Sequence, residues 1–101
     1  MAGETQAGPS EQVAATANVY NYPVSIRGFT TQHGTHETTY DIYDAINAGE
    51  ATRVGKKLSI QDDPSNNERS LFPEGGFRFT RGMRVVVTTN GTGQALVPHE
   101  L

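Results

Sequence analysis

The sequence predicts an all-β fold: one antiparallel β-sandwich or jelly-roll-like domain with an extended N-terminal arm. Three observations predict it. Short β-branched and aromatic segments recur along the chain, apolar and polar residues alternate within them, and turn residues separate them. The 101 residues suffice for one domain. Because 35% of them are hydrophobic and 11 are glycine, we expect a thin core.

Residues 1–17 are the predicted arm. They are mainly Ala, Gly, Thr, Gln and Glu, and Val13 is their one branched aliphatic residue. Such a composition buries too little apolar surface to offset the entropy lost on ordering. We therefore divide the chain into an extended arm, residues 1–17, and a sandwich domain, residues 18–101, and expect a partner surface to order the arm.

Alternation predicts six strands and the face that each one buries. The strands cover residues 24–30, 38–43, 57–61, 76–80, 83–89 and 94–97. The side chains predicted to face the core are Val24, Ile26, Tyr40, Ile42, Leu58, Ile60, Phe77, Phe79, Met83, Val85 and Val87. Val86 breaks the pattern, which indicates either a central strand covered on both faces or an assembly contact.

The last two predicted strands are separated by a strong turn signal. Asn90-Gly91 is the dipeptide preferred in type I′ turns, where both residues have positive φ. We therefore predict a hairpin in which Thr89 and Gln94 pair.

Turn residues also mark the other connections. Residues 73–76 and 81–82 predict tight turns, and residues 61–70 predict a polar surface loop. One short helical turn, capped by Asp44 and ended by Gly49, has about as much support as a loop.

Three segments together resemble a known group of proteins. They are PVSIRG at residues 23–28, YDIYD at 40–44 and GGFRFTRGMRVVV at 75–87, followed by a glycine-rich turn and a terminal strand. This order is similar to that of small virion proteins of tailed bacteriophages, over residues 22–97. In that group a chain of this size forms an antiparallel β-sandwich that decorates or cements the capsid, or lies among head and tail accessory parts.

The resemblance implies a non-enzymatic structural role. It implies a capsid decoration or cement protein that binds the major capsid protein lattice and stabilises the head, assembled in the host cytoplasm and located on the capsid surface of the virion. Copies of the chain itself are a second partner it implies, with a trimer among the arrangements. The arm would then lie along a neighbouring subunit.

Charge and composition argue against other partners. The formal net charge of −3 opposes binding to nucleic acid or to an anionic membrane, because both reward clustered Lys and Arg. No run approaches the ~20 apolar residues of a membrane span, and the first residues have neither the basic nor the apolar region of a secretion signal. We expect a soluble, non-exported protein with no nucleic-acid or membrane partner.

Five residues are candidates for partner binding. Arg78, Arg81 and Arg84 belong to a local excess of positive charge, which predicts either a docking patch for an acidic protein surface or a solvated sheet face. Tyr20 and Tyr22 precede Pro23, where we expect them to anchor the arm.

The sequence leaves two further functions open. Exposed tyrosines would suit a glycan- or receptor-binding module of a tail or head fibre, although Tyr20, Tyr22, Tyr40 and Tyr43 more often serve as core or interface residues. A cupin-like enzyme would require a metal bound by the side chains His33, His36, Glu37, Asp41 and His99. The two nearby histidines are three residues apart across Gly34, so their spacing does not fix a common face. We therefore predict a surface loop there, with no catalytic residue, no cofactor and no metal.

Overall fold

The computed structural model describes residues 12–63 and 70–101. Two antiparallel sheets pack face to face, which confirms the predicted all-β sandwich. The elements in chain order are β1 (Ala17–Tyr20), β2 (Val24–Gln32), β3 (Thr38–Tyr43), α1 (Ala48–Val54), β4 (Leu58–Asp62), β5 (Ser70–Leu71), β6 (Phe77–Phe79), β7 (Met83–Thr88) and β8 (Ala95–Glu100).

The strands divide into a first and a second sheet. The first sheet has the order β1-β7-β3-β4. In the second sheet, β2 pairs with β8 along one side and with β5 and β6 along the other. Because β6 and β7 belong to different sheets, the chain crosses the sandwich between residues 79 and 83.

The core lies between the two sheets and follows the predicted alternation. The residues with 0–1% exposure include Ile26, Phe29, Tyr40, Ile42, Phe79, Met83, Val85 and Leu96. Leu58, Phe77 and Val87 are partly buried and pack against this cluster. Each fully buried side chain of this size contributes about 1.5–3 kcal/mol relative to an exposed one.

Residues 12–16, the described part of the predicted arm that precedes β1, contact the domain. Val13 exchanges two backbone hydrogen bonds with Leu96, with N to O distances of 2.8 and 2.9 Å, and is 5% exposed. The Thr16 hydroxyl accepts from the Val87 amide at 3.0 Å. Composition could not predict this, because backbone hydrogen bonds and one buried valine hold the segment. The remainder of the predicted arm, residues 1–11, lies outside the described residues.

The predicted β7–β8 hairpin is wrong. β7 pairs with β1 and β3, whereas β8 pairs with β2 in the other sheet. Gly93 has a φ of 85°, and Gly91 is not among the glycines with positive φ. The connection instead packs against the β2–β3 loop, where the Thr35 amide donates to the Thr92 carbonyl at 3.0 Å.

A helix forms between β3 and β4, but not with the predicted ends. Asn47 caps α1 by accepting from the Glu50 amide at 2.8 Å, and Gly55 ends it at a φ of 80°. Gly49, the predicted end, lies inside the helix. The Asp44 carboxylate bonds the β6–β7 turn instead of capping the helix.

Two other predicted connections, the turn at residues 73–76 and the loop at residues 61–70, can be compared with the structure at least in part. The Gly76 amide donates to the Pro73 carbonyl at 3.0 Å, which confirms the tight turn at residues 73–76. At the ends of the predicted 61–70 loop, Asp62 completes β4 and Ser70 begins β5. Residues 64–69 of that loop lie outside the described residues.

Candidate functional site

The structure does not bring the predicted arginines onto one face. Arg78 projects outward from β6 in the second sheet, and its Nη1 donates to the Ser25 hydroxyl at 2.9 Å. Arg84 projects outward from β7 in the first sheet, and its Nη1 donates to Asn18 Oδ1 at 2.7 Å. The outer faces of a sandwich point in opposite directions, so a single patch containing both side chains does not exist.

Arg81 stabilises the fold at the crossing between the sheets. Its Nη1 lies 2.8 Å from Glu50 Oε2 on α1, and its amide donates to Asp44 Oδ1 at 2.8 Å. The side chain thereby ties the β6–β7 turn to the helix. Its charge is already matched within the protein.

The two candidate tyrosines have different environments. Tyr20 is 6% exposed and its hydroxyl donates to Glu100 Oε2 at 3.1 Å, so it belongs to the core. Tyr22 is 54% exposed and meets Tyr20 edge to face, with ring centroids 5.8 Å apart. Tyr22 is therefore the member of this pair that presents a free aromatic surface.

A groove lies between α1 and the outer face of the first sheet. It encloses about 400 Å³, and its lining residues are Tyr43, Ala48, Ala51, Thr52, Gly55, Lys56, Arg84 and Val86. β7 is a central strand, and α1 forms one wall of the groove above it. This arrangement explains Val86, whose apolar side chain serves as part of the groove floor.

Within the described ranges, some charged side chains around this groove have a partner of opposite charge, and Arg84 does not. Asp41 Oδ1 accepts from the Ser59 hydroxyl at 2.8 Å and lies 3.5 Å from Lys56 Nζ. Arg84 lies directly across from Tyr43 in the register of β3 and β7. Among the described residues Arg84 has no carboxylate partner, so its positive charge is left uncompensated.

A second surface feature, the Phe72 cluster, comprises Arg27, Gly28, Phe72 and His99 on the outer face of the second sheet. The Phe72 ring packs against Gly28, with its centroid 5.3 Å from the His99 ring and 5.7 Å from Arg27 Cζ. Phe72 is 47% exposed, whereas Leu71 pairs with the buried Phe29 and faces the other side of the sheet. Sequence reasoning missed this cluster, although a glycine inside a predicted strand is a known signal of close approach.

His99 contributes a neutral ring to the Phe72 cluster. Its Nε2 lies 2.9 Å from the Thr30 hydroxyl. Burial first, and then the positive charge of Arg27, lower the pKa of His99 below its ordinary value of 6.5. The imidazole is therefore uncharged at pH 7, which favours its packing against Phe72.

The histidines do not converge as a cupin-like centre requires. His33 Nδ1 lies 3.0 Å from Asp62 Oδ2, whereas His36 Nδ1 lies 3.1 Å from the Thr35 hydroxyl beside it. His99 is on β8 in the second sheet. Within residues 12–63 and 70–101, no three His, Cys, Asp or Glu side chains are grouped as metal ligands.

A buried polar cluster lies at the end of the sandwich near His33. Four atoms in it have no hydrogen-bond partner among the described residues, and they are His33 Nε2, Tyr40 Oη, Asp62 Oδ1 and Gln94 Oε1. Burial, and secondarily the negative charge of Asp62, raise the pKa of Tyr40 to about 12. Tyr40 thus remains protonated, with a desolvated hydroxyl that reduces the stability of the fold.

Comparisons with known proteins identify no relative: no family model matches the chain, and neither a curated protein nor a solved structure is significantly similar. In the part of the chain that the structure describes, no helix has the length and apolar character of a membrane span. The fold and its surfaces define the class: a small antiparallel β-sandwich protein whose two outer faces carry different surface features.

Proposed function

We propose that this protein is a non-enzymatic structural component of a tailed-phage virion, a decoration protein that binds the major capsid protein lattice and stabilises the head. The virion context rests on the resemblance of residues 22–97 to small virion proteins. The observation that carries a binding role is the Phe72 cluster, a half-exposed aromatic ring with an arginine beside it.

The composition of the Phe72 cluster suits a protein contact. Aromatic and arginine side chains are enriched at the energetic centres of protein interfaces, where a few residues supply most of the affinity. Phe72 is 47% exposed, so a partner would remove a large apolar area from water.

The geometry of the cluster also lowers the entropy lost on binding. Phe72 rests on Gly28 and contacts the His99 ring, which restricts the rotamers of its side chain before any partner arrives. A preorganised side chain loses less conformational freedom in the complex than a mobile one. A modest contact of this kind, repeated across a capsid lattice, would add up to strong attachment.

The proposed mechanism is a clamp between neighbouring subunits. The second sheet would contact one capsid subunit through the Phe72 cluster, and residues 1–11 would reach an adjacent one. Because binding favours the folded form by mass action, attachment would also compensate for a thin core. Contacts between copies of this chain, including a trimer, belong to the same proposal.

The experiment measures occupancy on capsids of the phage that encodes this chain, purified from a mutant lacking it. Phe72→Ala is expected to weaken binding by about 30-fold or more, which corresponds to about 2 kcal/mol. Val54→Ala is the matched control, since Val54 is 44% exposed on α1, away from the cluster. Unchanged occupancy of a folded Phe72→Ala protein would overturn the role of the cluster, and failure of the unmodified protein to bind capsids would overturn the function.

A glycan- or receptor-binding module of a tail or head fibre is the second candidate. The observation that favours it is Tyr22, whose ring is 54% exposed and is held edge to face by Tyr20. Aromatic rings in this state stack on the apolar faces of sugars. Binding on a glycan array that is abolished by Tyr22→Ala, together with no capsid binding, would favour the fibre module over the decoration protein.

A further inference from the structure

We infer that the groove between α1 and the outer face of the first sheet binds an acidic peptide segment, and that Arg84 holds a carboxylate of that segment. The inference does not depend on the proposed function, because it concerns the opposite face of the sandwich from the Phe72 cluster. It rests on the uncompensated charge of Arg84, the matched charges around it and the shape of the groove.

Arg84 has the donors that a carboxylate needs. Its guanidinium carries five N–H groups in a planar fork, and the bond from Nη1 to Asn18 Oδ1 at 2.7 Å uses one of them. That bond also fixes the orientation of the head group on β7. A carboxylate entering the groove can therefore accept two parallel hydrogen bonds from a positioned cation, the geometry in which Arg binds carboxylates most strongly.

The neighbouring carboxylates already have partners. Asp41 lies across from Val86 on the outer face, and it is bound by Lys56 and the Ser59 hydroxyl. Glu50 on α1 lies 2.8 Å from Arg81 and 3.4 Å from Arg53. An incoming carboxylate thus meets the unpaired charge of Arg84, whereas Lys56 at the same groove is already paired with Asp41.

The shape of the groove indicates a peptide with small apolar side chains next to its carboxylate. Tyr43 and Val86 form an apolar floor, and Ala48, Ala51 and Gly55 keep the wall on the helix side shallow. The space of about 400 Å³ lies within the usual range for ligand sites, ~300–1,000 Å³. A nucleic acid is a poor fit, because the formal net charge of the chain is −3 and phosphate backbones reward clustered cations.

The test titrates the full-length protein with an acetylated, amidated hexapeptide of alternating alanine and glutamate. The glutamine version of the same peptide is the charge control, and binding is followed by amide chemical shifts in nuclear magnetic resonance. We expect saturable shifts around Tyr43, Arg84 and Val86 with the glutamate peptide, and at least tenfold weaker binding of the glutamine peptide.

Substitutions identify which residues contribute to the binding free energy of the glutamate peptide. Arg84→Ala is expected to weaken binding of the glutamate peptide by at least tenfold, whereas Arg78→Ala on the opposite face is expected to change it by less than twofold. Thr52→Trp, which leaves Arg84 intact and fills the groove from the helix, is expected to block the peptide. If Arg84→Ala disturbs the fold, Thr52→Trp still tests whether the peptide binds in the groove.

The inference is overturned by equal binding of the two peptides, by equal losses with Arg78→Ala and Arg84→Ala, or by shifts confined to residues outside the groove. It is also overturned if oligogalacturonate saturates the groove while the glutamate peptide does not, since the site would then be one for acidic glycans. Capsid occupancy of Arg84→Ala is measured separately. Loss of peptide binding without loss of occupancy assigns the groove to another partner and leaves the decoration role intact.

Discussion

The ring of Phe72 lies directly on the backbone of Gly28, in a position that any side chain on residue 28 would occupy. An irregularity in β2 produces this contact, because the pairing with β8 shifts between Ile26 and Gly28. Gly28 then faces outward while Phe29 is buried at 1% exposure. The absence of a Cβ at one position thus determines how an aromatic ring is presented on the second sheet.

Gly28→Ala is predicted to lower the stability of the fold and, under the proposed decoration role, the affinity for capsids. The added methyl group would overlap the Phe72 ring and come 2.5 Å from the Leu71 carbonyl oxygen, so β5 must shift. We expect the free energy of unfolding to fall by about 1–3 kcal/mol. Urea denaturation measures this change.

Gly49→Ala provides the matched control for that substitution. The nearest neighbour to its added methyl group is Asn47 Oδ1 at 3.5 Å, and the residue lies inside α1. Because alanine is the better helix former, we expect a gain of about 0.5–1 kcal/mol. Similar losses in both variants would contradict the importance of the Phe72 contact.

Asp44→Asn is predicted to destabilise the protein in a pH-dependent manner. Partial burial raises the pKa of Asp44, but hydrogen bonds from Thr80, Arg81 and Gly82 outweigh it and hold the pKa below its ordinary value of 3.8. A carboxyl group with a lowered folded pKa stabilises the fold above the unfolded pKa, and this contribution is lost as pH falls through the folded pKa.

Urea denaturation of the unmodified protein and Asp44→Asn from pH 7 to pH 2 checks this prediction. We expect a difference of about 1–3 kcal/mol at pH 7, since hydrogen bonds to a charged group have this magnitude. The difference should shrink as pH falls below 3.8, the ordinary value for the carboxyl group. A gap of constant size across that range would show that the charge of Asp44 is not responsible.

Tyr40→Phe is predicted to leave stability unchanged or to raise it. The Tyr40 hydroxyl is buried without a hydrogen-bond partner among the described residues, and the side chain is 0% exposed. Removing the oxygen eliminates an unfavourable desolvation and creates little empty space. Thermal unfolding monitored by circular dichroism measures the effect, and a fall of several degrees in Tm would imply that the hydroxyl has a partner.

The faces of the strands were predictable from sequence, but the pairing of the strands was not. Alternation is a local property, so Ile26, Tyr40 and Phe79 were assigned correctly to the core. The Asn90-Gly91 dipeptide suggested a hairpin because it is a local signal. The actual partner of β8 is β2. A glycine is required at residue 91 because any side chain there would overlap Thr35 and His36, which are far away in sequence.

The surface sites were less predictable than the core. Arg84 was identified from the sequence as a candidate, but its groove depends on the position of α1 over β7. The Phe72 cluster joins residues from two strands and a loop, which no spacing rule connects. Asp44 was predicted to cap a helix, but its carboxylate instead binds the β6–β7 turn, 36 residues away in sequence.

Two truncations distinguish the contribution of residues 1–11 to stability from that of residues 12–17, which contact the domain. Removal of residues 1–11 is predicted to leave the urea midpoint unchanged, because Val13 and its pairing with Leu96 are retained. Removal of residues 1–17 deletes a core side chain of 5% exposure and two backbone hydrogen bonds, and should cost about 2–4 kcal/mol.

The shorter truncation also tests the clamp. If residues 1–11 contact a neighbouring capsid subunit, their removal lowers capsid occupancy without changing stability. Full occupancy after this truncation would eliminate the arm from the mechanism and leave the Phe72 cluster as the proposed contact.

Electron cryomicroscopy of virions purified from the source of this chain is the sharpest test of the proposed decoration role. We expect density for the sandwich on the outer capsid surface, with Phe72 covered by the major capsid protein. Density for the domain in a tail or head fibre, or a capsid-bound domain with the outer face of its second sheet turned to solvent, would contradict this expectation.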